Sequence, residues 1–280
     1  MPELPEVETT GRGIAAKLLN LRITKLEQHR RDLRFALPKN LASKLEGRKL
    51  VAVERRAKYL LLRLDDGYSL LLHLGMSGRM VIADADDGTR GKHDHVVFVF
   101  ENGAVMRFND ARRFGMLDLV KTGEEHKHKL LAHIGPEPLD KAFTAKVLQE
   151  RLAGRKTAIK LALLDQTVVA GIGNIYACEA LYDAGINPNK EAGKVSADKL
   201  ALLVPAIKKV LKAALKDGGS SLRDYVQTSG ELGYFQTRFA VYDREGQPCP
   251  KCRAAKITCT GVLRFTQGGR STFWCAAQQF

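Results

Sequence analysis

Near its middle the chain passes from strand-like to helical periodicity, and that change limits the fold more than any other feature. In the first part, Tyr59 to Leu64 and Tyr68 to Leu74 flank Asp65-Asp66-Gly67, and His95 to Phe100 and Ala104 to Phe108 flank Asn102-Gly103. Both interruptions are hairpin signals, and Asn-Gly is the stronger because a two-residue turn needs positive φ. Apolar runs on both sides of such turns imply stacked sheets, as a sandwich or barrel. Gly135-Pro136-Glu137-Pro138 then breaks the pattern and is the candidate linker. Beyond it the spacing becomes helical. Phe143, Val147, Leu148 and Leu152 share a face, as do Ile159, Leu163 and Leu164. Asn174 stands where it can cap a helix running to Ala184 and stopped by Gly185, and Leu200 to Leu215 reads as a further helix ended by Gly218-Gly219.

A helix also opens the chain. Pro5-Glu6-Val7-Glu8 suits a first turn, and Val7, Gly11, Ile14 and Leu18 fall on one face, so the helix ends near Leu19. Residues 237–280 differ again, being short, β-like and glycine-bearing, with seven Lys/Arg against two acids, a local +5. The expectation is an α+β protein with a β-sandwich over 1–135 headed by a helix, a helical domain over 136–236, and a β-hairpin module over 237–280.

Lys plus Arg number 45 against 31 Asp plus Glu, a net charge of +14. Such an excess points to a polyanionic partner, nucleic acid ahead of membrane. No run of about 18 apolar residues spans a bilayer, and no basic amphipathic anchor suits a membrane surface. The opening residues are acidic and lack the basic-then-apolar order of a signal peptide. Three of the five cysteines, Cys249, Cys252 and Cys259, are clustered, which suits a reducing compartment and metal binding better than disulfides. These features describe an intracellular, soluble, basic protein, a monomer by default.

Pro2 follows the initiator Met directly. It can simply begin the helix, but a specific chemistry is also available. Removal of Met1 leaves a secondary amine at the terminus. A terminal amine titrates at roughly 7.7–8.0, so about a tenth is free base at neutral pH, and the positive end of the following helix lowers its pKa further. Attack of a secondary amine on a sugar C1′ forms a cationic iminium that cannot discharge by losing an N–H proton. That is a persistent electron sink suited to β-elimination, with Glu3 adjacent as general acid or base.

The segments MPELPEVET (1–9), RRAKYLLL (55–62), HLGMSGR (73–79), KHDHV (92–96), RRFG (112–115), KTAIK (156–160) and GIGNIYACEALYDAGI (171–186) together resemble the formamidopyrimidine-DNA glycosylase family, in the family's order and nearly from end to end. The spelling of residues 4–9 is closer to the purine-lesion branch than to its sister, endonuclease VIII. The resemblance implies a β-sandwich, a helix–two-turn–helix DNA-binding domain and a zinc-finger-like β-hairpin. It implies a base-excision-repair enzyme that removes oxidised purines, 8-oxoguanine and formamidopyrimidines, from double-stranded DNA and then nicks the abasic site. Matched residue by residue, Pro2 is the Schiff-base nucleophile, Glu3 the acid assisting sugar opening, Lys58 the lysine serving β-elimination, and Arg270 the finger arginine of δ-elimination. A bacterial, cytoplasmic, nucleoid-associated protein is implied with them.

A base inside a duplex cannot be reached, so the nucleotide must be flipped out and the void filled. Met76, Arg112 and Phe114 match the family's void-filling trio: an unbranched wedge, a guanidinium for the orphaned base and an aromatic to unstack a step. Read without the family, Met76 and Phe114 are equally at home as core residues of β-hairpins. Asn109-Asp110-Ala111 departs from the commoner proline-bearing spelling of this loop. His93, Arg112, Arg155, Lys160 and Asn174 match DNA-contact positions. His93 and His95 share a strand face and could suggest a metal pair, but phosphate contact is preferred. In Gly171-Ile172-Gly173-Asn174 the glycines allow close backbone approach, and a helix start presents N–H groups to an anion. Asp217 to Gln236 is similar to the family's lesion-capping loop.

The family closes on two Cys-x2-Cys pairs that hold structural zinc. Here Cys249 and Cys252 form the first, but the second reads Cys275-Ala276-Ala277-Gln278, and 22 residues separate the halves. No His follows His133, and no Asp or Glu follows Cys252. Either Cys259 completes a rearranged site, or zinc is absent or weakly held and Phe265, Phe273 and Trp274 supply a small apolar cluster instead. Cys178 reads as a core residue. Two rival functions differ in what they predict. An oxidised-pyrimidine glycosylase would cut a different lesion duplex first. A non-catalytic DNA-binding protein would show salt-sensitive binding, no covalent intermediate, and indifference to Pro2→Gly.

Overall fold

A computed structural model describes residues 1–85, 88–221 and 227–280. The chain divides into two compact units, one of 1–132 with 215–236, the other of 133–214 with 237–280.

In the first unit, α1 (Leu4–Leu18) is followed by β1 (Ile23–Gln28), α2 (Leu41–Leu45), β2 (Leu50–Arg56), β3 (Tyr59–Leu64), β4 (Tyr68–His73), β5 (Arg79–Ala83), β6 (Asp94–Phe100), β7 (Val105–Asn109) and β8 (Met116–Lys121). Two antiparallel four-stranded sheets result, ordered β1-β6-β7-β5 and β2-β3-β4-β8. Both expected hairpins are present: Gly67 (φ +81°) turns β3 into β4, and Gly103 (φ +86°) turns β6 into β7. Alternate residues of the two sheets, Leu60, Leu62 and Leu72 from one and Val96, Phe98, Met106 and Phe108 from the other, share one apolar core with Ile14 and Leu18 of α1. Gly11 lets α1 lie close on the β2–β3 hairpin, since a Cβ there would stand 2.8 Å from Leu60 Cδ2.

Residues 215–236 return to this unit. The Ile82 N–H donates to the Thr228 carbonyl (3.1 Å), and Ser220 pairs with Tyr234 as an antiparallel bridge. The expected capping loop falls partly on 222–226 and so lies partly outside the described residues.

The second unit holds α3 (Ala145–Leu152), α4 (Ile159–Leu164), α5 (Asn174–Asp183), α6 (Ala197–Lys216, whose last two residues cross into the first unit), α7 (Pro250–Ala254) and the hairpin β9 (Leu263–Gln267) with β10 (Arg270–Trp274). The architecture is therefore α+β as expected. Asn174 differs from expectation in one respect. Gly173 is the N-cap of α5 and Asn174 the first helical residue. Its amide is drawn elsewhere, donating to the Ser271 carbonyl at 2.8 Å. Among the described residues no helix is long and apolar enough to cross a membrane.

Candidate active site and nucleic-acid interface

The start of α1 is held by two hydrogen bonds to Glu6. Glu3 is the extended residue before the helix, and Glu6 reaches back to accept the Glu3 N–H at 2.8 Å, one half of a capping box. The other oxygen of Glu6 accepts the Ser220 N–H, also at 2.8 Å. Glu6 is 2% exposed, so both hydrogen bonds form away from water and hold Pro2-Glu3 in one backbone path. Pro2 and Glu3 are themselves buried.

Lys58 lies on the two-residue β2–β3 turn and is 6% exposed. Ala57 beside it takes φ +54°, a left-handed conformation that costs an L-residue about 1–2 kcal/mol. Arg55 offsets that cost. Its Nη1 donates to the Ala57 carbonyl (2.9 Å) while its Nε donates to Glu8 of α1 (3.0 Å), so the turn carrying Lys58 is tied to the helix that starts at Glu3. His73 was not singled out from the sequence. It pairs with Tyr59 in the β3–β4 ladder, packs tilted against that ring with centroids 4.7 Å apart, and accepts the Gly75 N–H on Nδ1 at 3.0 Å. Burial, reinforced by the charges of Lys58 and Arg34, lowers its pKa to about 4, so it is neutral at physiological pH.

Met76 lies on the β4–β5 loop and Arg112 to Phe114 on the β7–β8 loop. Met76 (38% exposed) and Phe114 (40%) project outward, which settles against a core role for either side chain. The Arg112 guanidinium stands 5.0 Å over the Phe114 ring. His93 is half-buried just before β6, and its carbonyl accepts the Asp110 N–H (3.0 Å). His95 is buried, with Nε2 2.8 Å from the Asp110 carbonyl, and is thereby engaged inside the fold and not in a metal pair.

In the second unit, Arg270 is exposed after the turn Gly268-Gly269, both residues at positive φ. The next residues of its strand are clamped from the helical side. Lys160 Nζ donates to Thr272 Oγ1 (2.9 Å) and toward the Ser271 carbonyl (3.4 Å), which Asn174 also binds. Gln267 ties the hairpin to Asn189 at 2.9 Å. Lys160, expected beside the DNA backbone, is fully buried, and its ammonium points at β10. Arg155 is partly exposed and bonds Asp165 at 2.9 Å. Glu179, unremarked in the sequence, accepts three backbone N–H groups, from Ala240, Val241 and Tyr242, at 2.8–2.9 Å. It fastens α5 to the chain leading into the hairpin.

Cys249, Cys252, Cys259 and Cys275 converge with all four Sγ within 4.8 Å of one another. A tetrahedron with metal–sulfur bonds of about 2.3 Å has edges of about 3.8 Å, and Cys252 and Cys275 stand 3.8 Å apart. The set fits a tetrahedral metal ion. Gln278, at the position of the usual fourth cysteine, is not among the four. Its Nε2 donates to Cys252 Sγ at 3.2 Å, as an N–H donor to a metal-bound thiolate does. Around the thiols lies an apolar shell of Tyr182, Val241, Val262 and Phe273, with Cys178 buried in it as expected.

A sandwich bearing an N-terminal proline and a turn lysine, with a helical unit that carries an arginine hairpin on a four-thiol cluster, is the layout of one class of DNA-repair enzymes. Residues 1–117 match the formamidopyrimidine-DNA glycosylase N-terminal domain and residues 134–226 the H2TH domain of the same proteins. The formamidopyrimidine-DNA glycosylase of Acidiphilium cryptum is 52% identical over 279 residues and that of Dinoroseobacter shibae 51% over 287, each covering 100% of both chains. Among solved structures, the MutM (Fpg) protein of Thermus thermophilus has a TM-score of 0.87 at 38% identity, covering 99% of this chain and 98% of that one. A Lactococcus lactis Fpg mutant bound to Fapy-dG-containing DNA has a TM-score of 0.89 at 34% identity, covering 99% of each. The chain belongs to the formamidopyrimidine-DNA glycosylase family.

Proposed function

We propose that this protein is a bifunctional DNA glycosylase and abasic-site lyase that flips oxidised purines out of double-stranded DNA and excises them. The observation that carries the reading is the buried, doubly anchored start of α1, which presents Pro2 and Glu3 on one fixed path. With Met1 removed, the Pro2 nitrogen bonds to C1′ as the base departs. Glu3 protonates the ring oxygen so that the sugar opens to the iminium. Loss of a C2′ proton, assisted by Lys58, expels the 3′ phosphate by β-elimination, and Arg270 serves the second, δ-elimination. Met76, Arg112 and Phe114 fill the vacated stack, while His93, Arg155 and Asn174 contact the backbone. Lys160 is read as holding the arginine hairpin, because its ammonium is engaged with Thr272 and Ser271. Cys249, Cys252, Cys259 and Cys275 would hold a structural zinc whose role is to fold the hairpin module. The protein acts as a monomer in the bacterial cytoplasm.

Borohydride trapping on an 8-oxoguanine duplex, with an abasic duplex alongside, tests the reading. A covalent adduct on both, abolished by Pro2→Gly, is expected. Adduct on the abasic duplex alone would overturn the assignment to oxidised purines, and adduct on neither would overturn the enzyme.

A further inference from the structure

Met76 and the Arg112–Phe114 segment belong to different loops, yet their bases are joined by a buried polar staple. Asp110 is fully buried (0% exposed), Ser77 8% and His95 6%. Ser77 Oγ donates to Asp110 Oδ1 at 2.6 Å and accepts the Arg112 N–H at 3.1 Å. The other carboxylate oxygen of Asp110 accepts the Gly115 N–H at 2.7 Å. The carboxylate thus takes one donor from the Met76 loop and one from the far side of Phe114, and the Ser77 hydroxyl closes the ring onto Arg112. Backbone contact reinforces the staple: Gly75 has φ +63°, and a Cβ on it would stand 2.4 Å from the Phe114 carbonyl carbon. Arg113, between the two projecting side chains, is held at φ +58°. A non-glycine residue persists there only when its surroundings over-determine it.

We propose that Asp110 and Ser77 are positioning residues. They bind the two loops into one pre-formed wedge, so that Met76, Arg112 and Phe114 enter an opened base stack as a unit without ordering first. The inference rests on the reading that this trio fills the void, and it assigns no part in the imine chemistry to either residue. Two features favour a wedge set in advance over loops that order on binding. Arg113 is fixed at positive φ between the two projecting side chains, and the Asp110 carboxylate is wholly removed from water, where the hydrogen bonds it accepts are strongest.

The test separates duplex opening from chemistry. For Ser77→Ala, single-turnover excision from an 8-oxoguanine duplex should fall about ten- to hundredfold, the worth of one hydrogen bond to a charged group. Borohydride trapping on a single-stranded abasic oligonucleotide, which has no stack to fill, should stay within about twofold of wild type. Asp110→Asn should show the same split. In an Arg112→Ala background the added penalty of Ser77→Ala on the duplex should largely vanish, because the two act through one element. Equal losses on both substrates, undiminished duplex excision, or full additivity with Arg112→Ala would each overturn the proposal. A wild-type protein that traps on neither substrate would instead remove the glycosylase reading, and the wedge with it.

Discussion

Replacing Cys259 by serine tests whether a cysteine from the extra residues between Cys252 and Cys275 has taken over a metal ligand's place. All four Sγ lie within 4.8 Å, so the variant removes one of four equivalent donors and leaves a three-thiolate site. Apparent zinc affinities of four-ligand structural sites amount to about 10–16 kcal/mol. One ligand's share is about 3 kcal/mol, or roughly two orders of magnitude in affinity. Zinc content of the purified protein, followed by competition with a chromophoric chelator, would measure the change. One zinc per chain is expected for wild type, and at least about hundredfold weaker retention for Cys259→Ser. Cys178→Ala, in the same apolar shell but outside the four-thiol set, should retain zinc fully. The most demanding arm is Cys259→Ser with Gln278→Cys. Gln278 already sits against Cys252 Sγ at 3.2 Å, so a thiol there should restore retention. Unchanged zinc affinity in Cys259→Ser would refute the ligand assignment, and a wild-type protein free of zinc would refute the metal itself.

His73 makes stability depend on pH. Its folded pKa of about 4 lies below the ordinary value of 6.5, so the unfolded chain takes up a proton that the folded one refuses. This contribution is present above about pH 6.5 and is lost as pH falls toward 4, up to about 3 kcal/mol in all. Denaturant melts across that window should slope less steeply for His73→Gln, and equal slopes would contradict the assignment. Lys160→Met should leave Thr272 Oγ1 short of a donor, at roughly 1–3 kcal/mol, while the Ser271 carbonyl keeps its bond from Asn174. Amide exchange in β9–β10 should speed up, while the salt dependence of DNA binding keeps its slope. A slope reduced by about one would mean that Lys160 neutralises a phosphate after all.

Much of the fold is legible in the sequence alone. Asp65-Asp66-Gly67 and Asn102-Gly103 marked their hairpins because a tight turn imposes positive φ on particular residues. The opening helix was readable from Pro5, Glu6 and the spacing of Val7, Gly11, Ile14 and Leu18, all of which are buried. Such features are local, and a short window of residues contains their cause. The family's segments carry the candidate site residues, and the tertiary geometry gives each its environment. Met76 and Phe114 could equally have been core residues from their type alone, and only their exposure separated the alternatives.

What the sequence determined by itself was the passage from strands to helices, the two hairpin turns and the family to which the chain belongs. The tertiary structure decided the partners. Cys259 joins thiols 7 and 16 residues away because the chain between them folds back around an apolar shell. Lys160 and Asn174 both donate to a strand more than 90 residues later, a pairing that neither residue's local sequence announces. Asp110 and Ser77 meet across 33 residues and two loops. A hydrogen bond or a metal site is set by which groups lose their water together. That depends on contacts between distant segments, and no periodicity along the chain encodes it.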